Sequence, residues 1–423
     1  MKTIKNLILV FILFSHFLAG AQEVNTMSKR IQEMNKEQVP EKNVATMFSI
    51  IKEYKLDTLK NVEEIDVLKG QVALSYLNVG AFNEFENYIK RIKNKFNQTS
   101  YMNMAADELL RKQTHLKTAA IIAQKTVLAY ESYKDDPTAK PSTFPLADWS
   151  RFMKMAAYPY YETYAKALHL LNNDVKALFY EEKAIEGKDI EELMQPSVEL
   201  YTELLTGAGQ TEKACSLLLK MASIGKSSLK MNAQLKNLLV AKLGPKKSTI
   251  FLDSLQRNTA KIYKIEVAKK MIENTEAPNF TLSDLNGKLA SLIDFKGKVV
   301  VLDFWATWCA PCIAAMPAMK KMMEHHPEVV FLFIATQEIG ADAEARVKAY
   351  VKQNNFPIHV LIDKPNPKNP KIFPVVAAYN VKGIPAKMVI DKKGNLRFAT
   401  EGFSTDSELI NELTAMISIT EAQ

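Results

Sequence analysis

Residues 299–312 read VVVLDFWATWCAPC, and they decide the fold of the C-terminal third of the chain. Val299 to Trp305 form an unbroken run of β-branched and large apolar residues, the composition of a strand buried on both faces. The run stops at Ala306-Thr307-Trp308, and the segment after it, CIAAMPAMKKMMEHH, carries Ala and Met along one helical face. Cys309 and Cys312 therefore fall where a strand hands over to a helix, with Cys309 at the helix N-terminus. Unpaired backbone N–H groups and the helix dipole at that point favour a thiolate, lowering a thiol pKa from about 8.5 and making Cys309 the nucleophile. Cys312, one turn further in, is expected to be less exposed and to resolve a mixed disulfide. Pro311 suits a first helical turn, where its missing N–H costs nothing. Pro317 lies deeper and is expected to kink the helix. By itself, C-x-x-C admits a working dithiol, a metal clamp or a structural staple.

Asp303 is the anomaly of the strand. Strict alternation could place it at a solvent edge, but its flanks VVVL and FW argue for burial. A carboxyl group in apolar surroundings has a raised pKa and can accept the proton of the resolving thiol, which is the role expected for Asp303 toward Cys312.

Working outward, FTLSDLNGKLASLIDF gives two short strands about Asn286-Gly287. EVVFLFIAT and PIHVLID read as buried strands and DAEARVKAYVKQNN as a helix. A Pro-rich insertion, KPNPKNPKIFP, follows; then AKMVIDKKGNLRFAT folds about Lys393-Gly394 and DSELINELTAMISI closes as a helix. Strands alternating with helices before a final hairpin indicate a mixed sheet with helices on both faces, an α/β domain over residues 277–423.

Before residue 277 the grammar is helical. GQVALSYLNVGAFNEFENYIKRIKNKF places apolar residues at helical spacing on either side of Gly80, a helical hairpin. The pattern recurs about Asn172-Asn173 and about Gly207 and Gly209, and Asn172 and Gly209 lie 37 positions apart. These hairpins resemble degenerate tetratricopeptide repeats, whose period is about 34 residues. Such an array implies a concave surface for a partner polypeptide, whereas a plain helical domain would use the same aromatic stripes as core. KDDPTAKPSTFPLADW reads as a loop between helices. The expected organisation is multidomain: a leader over 1–21, an all-α helical-hairpin domain over 22–247, a connecting helix over 248–276 and the α/β domain over 277–423.

The opening MKTIKNLILVFILFSHFLAGAQ has two lysines, a short apolar core and Ala19-Gly20-Ala21, the pattern of a secretory signal peptide cleaved after Ala21. An uncleaved membrane anchor is the alternative reading, although the apolar run is shorter than the roughly 20 residues of a span. The expected location is the periplasm or cell envelope. With three cysteines in 423 residues, no disulfide framework holds this chain together. Cys215 lacks a partner and is expected to be buried in a helix as a small apolar residue. The formal charge of +8 is spread among mixed Lys and Glu and not gathered into a basic block, which argues against nucleic acid as a partner.

The segments APNFTL, DLNGK and FKGKVVVLDFWATWCAPC, with Gly383-Ile384-Pro385 and the hairpin VIDKKGNL, resemble the TlpA/ResA-like branch of thioredoxin-fold proteins, with an AhpC/TSA-type redoxin domain. The resemblance covers about a third of the chain and implies a thiol:disulfide oxidoreductase. It implies a Cys309–Cys312 redox disulfide, Asp303 as the buried carboxylate beneath it, and Pro385 as a cis-proline facing the dithiol. It further implies Ile384 backbone groups offered to an extended substrate chain, with Trp308 and Pro311 lining the same surface. Ala315 stands where cytochrome-maturation members often carry glutamate, which sets this chain apart from them.

Rival readings of the C-x-x-C fare poorly. Zinc needs about four ligands, and the adjacent pair His325-His326 cannot supply the usual H-x₃₋₅-H arrangement. Haem attachment needs C-x-x-C-H, but Ile313 follows Cys312. A peroxiredoxin would need Pro and Thr where Leu302 and Ala306 stand. No metal or cofactor is expected. The expected function is an exported reductant of disulfides in envelope proteins, fed by a membrane electron donor. The alternatives are an oxidase or isomerase of the same fold, or a helical-repeat adaptor that uses the redoxin module for binding.

Overall fold

The computed structural model describes residues 21–34, 36–141, 144–340, 342–354 and 359–423, with side chains from residue 27 onward. The leader expected over 1–21 lies outside the described residues except for Ala21, which belongs to the first helix. No helix among the described residues is long and apolar enough to cross a membrane. Contacts divide the described residues into two compact units, one of those up to 190 together with 203–210, the other of those in 191–202 and from 211 onward.

The first unit is helical: α1 (Ala21–Met34), α2 (Pro40–Glu53), α3 (Val62–Asn78), α4 (Phe82–Lys90), α5 (Lys95–Arg111), α6 (Leu116–Tyr133), α7 (Leu146–His169) and α8 (Asp174–Ile185). The turns expected from Gly80 and Asn172 join α3 to α4 and α7 to α8, both residues with positive φ. Pairs α3–α4, α5–α6 and α7–α8 pack as hairpins. Gly70 lets α3 approach α5 closely, since a Cβ there would meet the Tyr101 ring at 2.2 Å. A polar knot lies inside: Thr99 Oγ1 meets the Tyr133 and Tyr160 hydroxyls, and Tyr130 donates to the Met153 carbonyl at 2.9 Å. Buried tyrosines keep their hydroxyls paired in this way because an unpaired one forfeits its hydration.

Helix α9 (Gln195–Gly207) spans the division between the units. The second unit continues with α10 (Thr211–Ser223), where Cys215 is buried, α11 (Leu229–Leu243) and α12 (Pro245–Ala268). The sheet follows: β1 (Thr281–Asp284), β2 (Leu289–Ser291), β3 (Val300–Trp305), α13 (Ala310–His325), β4 (Val330–Ala335), α14 (Ala343–Gln353), β5 (His359–Ile362), α15 (Pro374–Ala378), β6 (Ala386–Ile390), β7 (Leu396–Glu401) and α16 (Asp406–Glu421). Its order is β2-β1-β5-β4-β3-β6-β7; β3, β4 and β5 are parallel and the other pairings antiparallel.

Alternation along β3 divides two cores. Val300, Leu302 and Phe304 join Phe280, Leu332, Ile334 and Val375 on the α15 face. Val301 and Trp305 join Phe333, Val347 and Leu413 on the face covered by α13, α14 and α16. The second core also takes Val267 from α12, so the helix expected as a connector is part of the sheet's own packing. The Asp406 carboxylate at the start of α16 accepts from the Leu229 N–H at 3.1 Å, tying the start of α11 to the same domain.

Candidate active site

Every β3 side chain is buried, and the parallel triplet β3–β4–β5 ends its strands on one rim of the sheet. Loops at the carboxyl ends of parallel strands are where open α/β sheets place their ligands. β3 delivers the chain to that rim, and Thr307-Trp308 carries it into α13. Cys309 is the N-cap of α13, and its sulfur accepts the Cys312 N–H at 3.2 Å. The two cysteines are joined as a disulfide with Cα atoms 5.2 Å apart. Both are nearly buried, whereas Trp308 beside them is 58% exposed. When the bond is reduced, the N–H that now touches Sγ, with the dipole of a 16-residue helix behind it, faces the thiolate of Cys309.

Asp303 is 2% exposed. With Val301 and Trp305 on the α13 face, alternation turns Asp303 toward the core that holds Cys309 and Cys312. It is not alone. In the antiparallel register Asp303 stands opposite Lys387 of β6, and the ammonium lies 3.3 Å from its Oδ1. Lys387 is fully buried and Asp303 almost so. Burial pushes the Asp303 pKa above the usual carboxylate range, and the Lys387 charge opposes that rise. The contact lacks hydrogen-bond alignment at both Oδ1 and Nζ, so the pair is held by charge across the strands.

Sequence reasoning missed Lys387. The signal was present: a lysine inside the apolar strand AKMVI is the same anomaly as Asp303 inside VVLDFW. It also missed the clamp on the loop between β3 and α13. The Thr307 N–H donates to Glu338 Oε1 at 2.6 Å and the Trp308 indole N–H to the Gln337 carbonyl at 3.0 Å. Glu338 is itself buried and held from behind by Arg346, 3.3 Å away. That contact depends on where the β4 loop falls, which no local pattern reveals.

On the other side of β3, the Ile384–Pro385 bond is cis. Pro385 is buried and its carbonyl accepts the Gly402 N–H at 2.7 Å, while Ile384 is partly exposed and packs against both cores. Pro311 sits in the first turn of α13, and Pro317 lies within the helix, which runs unbroken to His325. Ala315 is buried beside the cysteines in the same core. His325 and His326 lie at the far end of α13, about 24 Å along the helix from Cys309.

A C-x-x-C disulfide capping a helix that follows the central strand, over a buried carboxylate and beside a cis-proline, defines a thioredoxin-fold thiol-disulfide oxidoreductase. Residues 274–399 match the AhpC/TSA family. The chain is 33% identical over 141 residues to the thioredoxin-like protein YneN of Bacillus subtilis, covering 33% of this chain and 78% of that one. It is 36% identical over 141 residues to the thiol-disulfide oxidoreductase ResA of Bacillus thuringiensis, covering 33% of this chain and 76% of the relative. A solved structure, the exposed lipoprotein thioredoxin of Streptococcus pneumoniae, is similar over 32% of this chain and 98% of its own at 30% identity, with a TM-score of 0.28. The chain belongs with the ResA-like thiol-disulfide oxidoreductases, and its C-terminal domain is of the AhpC/TSA type.

Proposed function

We propose that the protein is an exported reductant of disulfides in other cell-envelope proteins. The observation that carries this reading is the Cys309 sulfur at the N-terminus of α13, above a buried carboxylate on the same face of the sheet. The Cys309 thiolate attacks one sulfur of a substrate disulfide. A new S–S bond forms, the substrate S–S bond breaks, and the departing substrate sulfur takes a proton. The Cys312 thiol then passes its proton to Asp303 and attacks the mixed disulfide, so the second substrate sulfur leaves reduced. Two electrons have moved from the dithiol to the substrate, and a membrane-bound donor returns them to the Cys309–Cys312 disulfide.

Lys387 acts on Asp303. Its ammonium favours the carboxylate and opposes the rise that burial imposes on the Asp303 pKa. Trp308, Pro311 and Ile384 form the surface on which an extended substrate chain lies, with buried Pro385 fixing the backbone of Ile384 behind it. Export rests on the amino-terminal pattern through Ala21. The hairpins of the first unit, read as tetratricopeptide-like, dock a partner polypeptide. The reductive direction is supported by the Ala310-Pro311 dipeptide, which is closer to the Gly-Pro of reductive family members than to the Pro-His of strong oxidants.

The test is capture. A Cys312→Ser variant expressed in the envelope should accumulate mixed disulfides through Cys309 with exported, cysteine-containing proteins, released by dithiothreitol. Absence of such adducts, or adducts that form only in the cytoplasm, contradicts the reading.

A further inference from the structure

The Pro-rich insertion after β5 has no part in the chemistry above, yet it is ordered and builds a wall. Within KPNPKNPKIFP, the Asn366 N–H donates to the Ile372 carbonyl at 2.8 Å, and the Asn366 and Asn369 side chains accept from Lys368 and Lys371. Prolines add stiffness by restricting the unfolded alternatives. Pro365, Pro370 and Phe373 of this wall face Ile339, Ala343 and Ile362 across a cavity of about 440 Å³, within the range of ligand pockets.

The cavity opens at the carboxyl ends of β4 and β5, and the loop that forms its near lip is the one that clamps the dithiol. Gln337 and Glu338, which hold Trp308 and Thr307, lead directly into Ile339 and Gly340. In the sheet, β4 flanks β3 on one side and β6, which follows Pro385, flanks it on the other. The cavity therefore lies across the dithiol from the cis-proline. Ile339 is 80% exposed and Trp308 58%, on the two loops that the Trp308–Gln337 and Thr307–Glu338 hydrogen bonds join. The charged lining is paired: Glu338 with Arg346 at 3.3 Å and Glu344 with the Lys364 ammonium at 2.9 Å, while buried Asp363 accepts from Thr336 Oγ1 and the Val375 and Val376 N–H groups.

We propose that this cavity is a recognition pocket for the polypeptide whose disulfide meets Cys309, taking a bulky aliphatic or aromatic side chain beside the target cysteine and rejecting an acidic one. The proposal rests on the exchange reading of the dithiol, which brings a cysteine-bearing chain onto exposed Trp308. The apolar walls select the side chain by burial, and an Asp or Glu entering a lining whose cation is already paired would be buried without a partner.

The test uses the reduced full-length protein in single-turnover exchange with short disulfide-linked peptides that differ only beside one cysteine, where Leu, Gly or Asp is placed. Glutathione disulfide, too small to reach both sites, serves as the reference within each variant. The Leu peptide should react about tenfold faster than the Gly peptide, and the Asp peptide slowest. Ala343→Trp, which fills the cavity, and Ile339→Asp, on the exposed rim, should each bring the Leu-to-Gly ratio near one. Equal rates for Leu and Gly in the unaltered protein, or a preference that survives both substitutions, overturn the pocket while glutathione disulfide still reacts. Failure of every disulfide to react, glutathione included, overturns the exchange reading and the pocket with it.

Discussion

A buried polar knot in the helical unit and a buried polar pair in the sheet-bearing unit differ in kind. In the helices the buried knot is neutral: Thr99, Ser100, Tyr133 and Tyr160 share their hydroxyls at the junction of α5, α6 and α7. Each bond there is worth about 1 kcal/mol net, and the knot holds three helices in register. In the sheet the buried pair is ionic, Asp303 with Lys387, without hydrogen-bond alignment between the facing atoms. Such pairs return little stability for their desolvation and are costly to break. The comparison sets a neutral, hydrogen-bonded knot that holds helices together against a charged pair placed beside the dithiol. Burial of charge alone does not mark a reactive group, since buried Asp66 in the helices pairs with Lys69 and accepts the Lys93 and Asn94 N–H groups as part of the fold.

Four substitutions test that contrast. Cys309→Ser should abolish exchange with every disulfide while leaving the thermal stability of the reduced protein almost unchanged, as read by calorimetry beside a turnover assay. Asp303→Asn should slow resolution of the mixed disulfide by about 10²- to 10⁴-fold at pH 7, the usual worth of a positioned base. In the unaltered protein that step should accelerate as pH rises through the Asp303 pKa, which burial places above about 3.9, and the inflection should vanish in the Asn variant. A pH profile that is the same for both proteins removes Asp303 from the mechanism.

Lys387→Met should cost about 3 kcal/mol at pH 8 and far less at pH 4. The sign follows from linkage. A carboxyl whose folded pKa is raised contributes most stability while protonated, below about pH 3.9, and loses it as pH rises through the folded value. Without the ammonium that loss deepens, and the inflection of the resolving step moves to higher pH. Urea titrations at the two pH values measure the first effect and rapid mixing the second. The smallest effect falls in the helices: Tyr133→Phe should lower stability by about 1 kcal/mol in urea and leave exchange untouched. A comparable change in exchange rate would mean that the neutral knot and the ionic pair are coupled.

What could be read from the sequence was what is local. The strand–turn–helix around Cys309 and Cys312 lies within one stretch, and burial of Asp303 follows from its immediate neighbours. Gly80, Asn172 and Gly209 announce their turns through residue types that accept positive φ. Lys387 could not be joined to Asp303, because the pairing depends on the β3–β6 register across a long separation in sequence. Glu338 escaped notice for the same reason. The amphipathic stripe of α12 predicts a buried face but cannot say against what; Val267 lies in the core of the sheet.

The most direct test of the account is the reduction potential of the Cys309–Cys312 pair, obtained by equilibrating the purified protein with dithiothreitol and glutathione buffers. A reversible couple near about −270 mV is the predicted result and marks an electron donor. A value approaching about −120 mV would contradict it, because a dithiol so easily reduced makes disulfides in its partners and does not remove them.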